Sequence, residues 1–131
     1  IIYIPAQILG CLLGVMLANV FFEHDILELS TKNRDGFHIF LSEIIATFGL
    51  IFIIFATLKD GKITIAASVA TYIMAGYWFT SSTSFANPAV AIARTFTDSF
   101  TGINYLNTPT YILAEFLGAL IAVYFIKKLI K

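Results

Sequence analysis

Few residues in this chain are equipped to act on another molecule. Asn87-Pro88-Ala89 joins a favoured helix N-cap to a proline suited to the first helical position. Val90 and Arg94 follow four residues apart, on one face of the helix so begun. Glu43 and Glu115 are carboxylates inside apolar runs, where an ionisable group is functional by default. Gln7 is a polar residue in a third such run. His24, Asp25 and His38 flank a polar loop, where such residues are ordinarily just solvated, so no metal is expected. There is no nucleophile–base–acid arrangement on a credible scaffold, no glycine-rich phosphate loop and no metal-ligand spacing. The sequence therefore predicts neither an enzyme nor a cofactor. The chemistry left is presentation: amide donors and a helix start offered to a passing oxygen.

These residues need an unusual solvent. The chain has 131 residues, of which 59% are hydrophobic and only 12% charged, against about 25% charged in a soluble domain. A domain this small cannot bury nearly all of itself, so the charge deficit reads as lipid exposure. Formal net charge is zero, which gives no global field for nucleic acid. The single cysteine, Cys11, excludes an internal disulfide. The first residue is Ile1 and it already lies in an apolar run with no basic leader; the chain reads as the C-terminal fragment of something longer.

Four apolar stretches approach the roughly 20 residues a bilayer-spanning helix needs: about 1–22, 37–58, 63–82 and 109–126. Residues 23–36 form a polar, net acidic loop, and Lys59-Asp60-Gly61-Lys62 a tight turn. Residues 83–108 are too broken for a span and too apolar for an ordinary loop. Four spans put Lys59, Lys62, Lys127, Lys128 and Lys131 on one side, with Lys32, Arg34 and Arg94 on the other. The excess of lysine predicts a cytoplasmic C-terminus.

Residues 3–15, YIPAQILGCLLGV, repeat as residues 111–123, YILAEFLGALIAV, with seven of thirteen positions identical. Three spans separate the starts of the two copies, so they run oppositely through the membrane. Such inverted repeats build many transport proteins, with function at the repeat interface. Both copies carry small residues four apart: Ala6, Gly10, Gly14 and Ala18, then Ala114, Gly118 and Ala122. These rows predict close helix packing in lipid.

From Asn87 the run PAVAIARTFTDS predicts a helix to about residue 99, with Gly102 as its stop. Its 11 or so residues give about 16 Å, half of a roughly 30 Å hydrocarbon core. A helix starting at midplane is tolerated only where it lines a wet cavity. There its amides and positive dipole end would face the permeant and oppose cations.

With these residues in place, the chain resembles the C-terminal half of the aquaporin, or major intrinsic protein, family. The resemblance implies an all-α membrane protein: four transmembrane helices plus one re-entrant half-helix over about 87–99, a truncated inverted repeat. A first Asn-Pro-Ala is then expected 108 residues before Asn87, upstream of Ile1. Most of the family places Arg directly after the second motif; here that residue is Val90, and Arg94 comes one turn later, about 6 Å along the axis. The sequence is similar to a bacterial subgroup with this substitution. Ala75 falls at the fifth-span filter position, where water-specific members carry His. Val90 and Ala75 together imply a wider, less polar filter, with Arg94 either guarding the vestibule or bonding loop carbonyls. In the family a glutamate at the place of Glu43 accepts hydrogen bonds from the re-entrant loop, and Gln7 and Glu115, at equivalent repeat positions, would satisfy backbone groups near the two half-helices.

The implied function is a passive channel for water or small uncharged solutes, with glycerol and arsenous acid as candidates. A homotetramer in the bacterial inner membrane is implied for the complete protein. Two other readings stay open: an inverted-repeat secondary transporter using Glu43 or Glu115, and an inactive remnant of a channel gene.

Overall fold

A computed structural model describes residues 2–129. Five α-helices occur in chain order: α1 (Tyr3–Phe21), α2 (Phe37–Ala56), α3 (Lys62–Phe79), α4 (Pro88–Ala93) and α5 (Thr108–Leu129), with a 3-10 turn at Arg94–Phe96. Among the described residues there is no strand. The residues group into two compact units. One comprises the described residues up to Asp35 together with Asn87–Ile112; the other comprises Gly36–Ala86 and the described residues from Leu113 onward.

Helices α1, α2 and α5 are long and apolar enough to cross a membrane. The third expected span is the helix α3, whose 18 residues measure about 27 Å. It begins with a lysine and carries Thr64, Ser68, Thr71, Tyr72 and Tyr77, so it does not stand with α1, α2 and α5 as apolar enough to cross a membrane. It ends at Phe79 rather than 82 because Thr80 turns extended, while the Thr80 hydroxyl and N–H both bond back to the Gly76 carbonyl.

Helix α1 carries no charge, and its end is well made. Glu23 adopts a left-handed conformation (φ 60°). The Glu23 N–H then reaches the Val20 carbonyl at 3.3 Å and the His24 N–H the Asn19 carbonyl at 2.9 Å. Carbonyls of the last turn are satisfied this way. At the starts of α2 and α3, Gly36 (φ 108°) and Gly61 (φ 92°) hold the positive φ that a side chain resists. Their carbonyls accept the N–H groups of Phe40 and Ile65, both at 3.1 Å.

The two rows of small residues behave differently. In the second unit, Ala114 and Ala122 of α5 are fully buried. A Cβ on Gly118 would lie 2.5 Å from the Ile44 carbonyl oxygen and 3.0 Å from Thr47 Cβ, so α2 and α5 meet at backbone distance. Helix α3 is pinned to α2 by Tyr72, whose hydroxyl sits over Gly49 and donates to the Ala46 carbonyl at 3.0 Å. In the first unit the expected packing of the α1 row is not made. A Cβ at Gly10 or Gly14 would meet nothing within 4 Å. The apolar pattern is the same in both copies, but among the described residues α5 meets α2 at backbone distance on its small face, whereas α1 packs against α4 without closing on Gly10 or Gly14.

Candidate functional site

The second unit delivers the chain to Asn87 through a strained segment. Thr83, Ser84 and Ala86 have φ of 68°, 52° and 48°, left-handed values that cost a non-glycine residue roughly 1–2 kcal/mol each. Buried hydrogen bonds hold the segment in place. The Glu43 carboxylate, itself fully buried, accepts the Ala86 N–H. The Ser84 N–H donates to Ser82 Oγ at 3.3 Å and the Thr83 hydroxyl to the Ser82 carbonyl at 2.5 Å. Ser81 and Ser42 pair through their hydroxyls at 2.9 Å. A peptide buried in an apolar unit must find partners inside it, and the Glu43 carboxyl group supplies one.

At Asn87 the backbone becomes extended (φ −159°, ψ 117°) and α4 begins with Pro88 at its first position. Asn87 Oδ1 accepts the Ala89 N–H at 2.9 Å, and the Asn87 carbonyl accepts Val90 and Ala91 N–H at 2.9 and 3.0 Å. The cap satisfies one orphan donor of the helix start.

The helical run is shorter than the sequence suggests. It tightens to 3-10 at Arg94 and ends at Phe96, with Thr97 extended (φ −149°, ψ 130°). Six α residues and three 3-10 residues still give about 15 Å. The helix stops before 99 because Asp98 is drawn to the loop before α2. Its Oδ1 accepts the Thr31 N–H at 2.8 Å, the Thr31 hydroxyl bonds both carboxylate oxygens, and the Ser30 hydroxyl reaches Oδ1 at 3.3 Å. The Asp98 N–H in turn donates to Glu28 Oε1 at 3.0 Å. Gly102 is not the helix stop. It packs where a Cβ would collide with the Thr97 carbonyl and Ser30.

Two further fasteners went unread in the sequence. Arg34 Nε donates to the Gly102 carbonyl at 2.9 Å and Nη2 to the Phe100 carbonyl at 2.5 Å. Arg34 therefore does the carbonyl bonding that had been one of two options for Arg94. Asn19, 2% exposed on α1, donates to the carbonyls of Ile26 and Phe96 at 3.3 and 3.0 Å. The only signal for Asn19 was a lone amide in an apolar run; for Arg34 there was none beyond its charge. Outside the membrane-spanning segments, the Asp98 carboxyl is held below its ordinary value, chiefly by the Thr31 N–H, against a smaller opposing desolvation.

The other residues singled out by sequence fall as follows. Val90 and Arg94 are half-buried and line one cavity of about 210 Å³ with Cys11, Gly14, Val15, Ala18 and Ala93. Arg94 also lines a second cavity of about 420 Å³ within the same unit. Glu115 is buried on α5 at 1% exposure, whereas its repeat counterpart Gln7 is exposed on α1. Ala75 is exposed on α3, in the other unit from Val90. His24 Nδ1 lies 2.7 Å from Glu28 Oε1. Among the described residues, no three His, Cys, Asp or Glu side chains cluster as metal ligands.

Three helices long and apolar enough to cross a membrane, with a strained loop leading into a capped short helix, define a polytopic helical membrane protein. Comparison with curated proteins makes the class specific. The chain is 45% identical over 120 residues to Aquaglyceroporin AqpS of Rhizobium meliloti (strain 1021), a match that covers 92% of this chain and 52% of that protein. The chain belongs to the aquaporin, or major intrinsic protein, family, and spans about half the length of the curated relative it matches. No family model matches the chain, and no solved structure does.

Proposed function

We propose that this chain forms half of a passive membrane channel for water and small uncharged solutes, glycerol foremost and arsenous acid within reach. The observation that carries the reading is the Asn87-capped half-helix, fed by the strained 83–86 segment and flanked by cavities along α1. A capped helix start offers fixed amide donors and a positive dipole end to a passing oxygen, and disfavours cations. The relative's name, an aquaglyceroporin, agrees with solutes larger than water.

Selectivity falls to Asn87, Pro88, Ala89, Val90 and Arg94, with Ala75 at the filter. Val90 in place of a guanidinium leaves the constriction wider and less polar. Glu43, Gln7 and Glu115 support the re-entrant backbone. Glu43 already spends an oxygen on the Ala86 N–H, which favours support over a proton-coupled transporter. No catalysis and no cofactor are part of this function. The complete protein works in the bilayer of the bacterial inner membrane, as a homotetramer with its C-terminus in the cytoplasm.

Stopped-flow swelling of proteoliposomes carrying the complete protein tests this. Glycerol and water fluxes are expected to rise linearly with gradient. Val90→Arg is expected to cut glycerol flux by roughly 10-fold, the effect of about 1.4 kcal/mol at a constriction, and water flux less. Unchanged glycerol and water permeation in Val90→Arg would remove Val90 from the constriction.

A further inference from the structure

The cavity of about 420 Å³ in the first unit has a one-sided charge. It is lined by Val15, Ala18, Asn19, Phe22, His24, Arg94, Thr97, Ser99, Phe100 and Thr101. Arg94 and His24 are its ionisable groups, and no carboxylate belongs to its wall. The acids nearest in the chain are already engaged: Glu28 by His24 and the Asp98 N–H, and Asp98 by Ser30 and Thr31. The two arginines of the chain have opposite fates. Arg34 is spent on the Gly102 and Phe100 carbonyls. The Arg94 guanidinium, half-buried, forms no hydrogen bond or ion pair among the described residues. A guanidinium with no acceptor among the described residues has donors to offer a ligand, and its planar fork matches a carboxylate best.

We propose that this cavity is a binding site for a short aliphatic carboxylate, its charged end on Arg94 and its carbon end against Val15, Ala18 and Phe22. The volume suits a small ligand with accompanying water. The site is a dead end. Beyond Arg94 the smaller cavity offers only Cys11, Gly14, Val15, Ala18, Val90 and Ala93, which cannot replace the hydration of an anion. A bound carboxylate therefore rests at Arg94. The inference goes beyond the channel reading and stands on the geometry of one unit.

The two arginines supply an internal control. The full chain, ¹⁵N-labelled at arginine and held in phosphatidylcholine nanodiscs, is titrated with propionate, and the two Nε–H signals are followed by NMR. Arg94→Lys assigns them by removing one. The Arg94 signal is expected to shift saturably and the Arg34 signal to stay fixed. Chloride at equal ionic strength is expected to act at least about 10-fold more weakly, since it cannot take both donors of the fork. No shift at Arg94, an equal shift at Arg34, or an equal response to chloride would each overturn the proposal. None of these outcomes bears on solute swelling, so the channel reading would survive them.

Discussion

At the scale of single residues, a buried carboxylate and an exposed one do the same work in different solvents. Glu43 anchors the strained approach to Asn87 from inside the second unit. Removing it leaves a buried N–H without its acceptor, a loss of about 1–3 kcal/mol. Glu43→Ala is therefore expected to lower thermal stability in detergent by that amount. Glu43→Gln, which keeps an acceptor oxygen, should lose less. Equal stability of both variants and the parent would mean that the bond contributes nothing.

Asp98 gives the pH dependence at this scale. Its folded-state pKa is depressed by the Thr31 N–H and hydroxyl. A depressed carboxylate contributes stability above its unfolded value and loses it as pH falls through the folded one. The clamp should therefore persist from neutral pH through the ordinary carboxylate range and open only below it. Hydrogen exchange at the Thr31 amide measures this; opening already near neutral pH would contradict it. The sequence exposed Glu43 because a carboxylate stands out in an apolar run. It hid Asp98, Arg34 and Asn19, whose long-range partners lie 66–77 residues away, and most of those partners are backbone groups with no side-chain signature.

At the scale of elements, composition reads helices well and their ends poorly. Three helices long and apolar enough to cross a membrane, α1, α2 and α5, fall on three of the expected spans, because apolar runs of this length, broken by at most one carboxylate, have no alternative to a helix in lipid. The half-helix was legible at its start, where Asn-Pro sets the cap, but not at its end. What stops it is the pull of Ser30 and Thr31 on Asp98, a tertiary contact rather than a local breaker. The small-residue rows show the same division. Gly118→Ala is expected to destabilise by about 1–3 kcal/mol through contact with Ile44 and Thr47. Gly14→Ala, in open space, should be neutral or slightly stabilising through helix propensity. Thermal melts of the two variants side by side decide it. The end of α1 offers a complementary gain: Glu23→Gly should stabilise by up to about 1 kcal/mol by relieving its left-handed φ.

At the scale of the whole molecule, the internal repeat organises the sequence. Two copies of one pattern lie 108 residues apart along the chain, with the Asn87-capped helix between them in sequence. The 45% identity to an aquaglyceroporin fixes the family, and the chain spans about half the length of that relative. On this account the strain at 83–86, the cap at Asn87 and the clamp at Asp98 serve one end, a fixed helix start beside a water-filled path.

Stopped-flow flux through the complete protein in proteoliposomes, with and without a proton gradient, tests that end most directly. The account predicts glycerol flux that rises in proportion to its gradient and ignores the proton gradient. Flux that saturates and follows the proton gradient would contradict it.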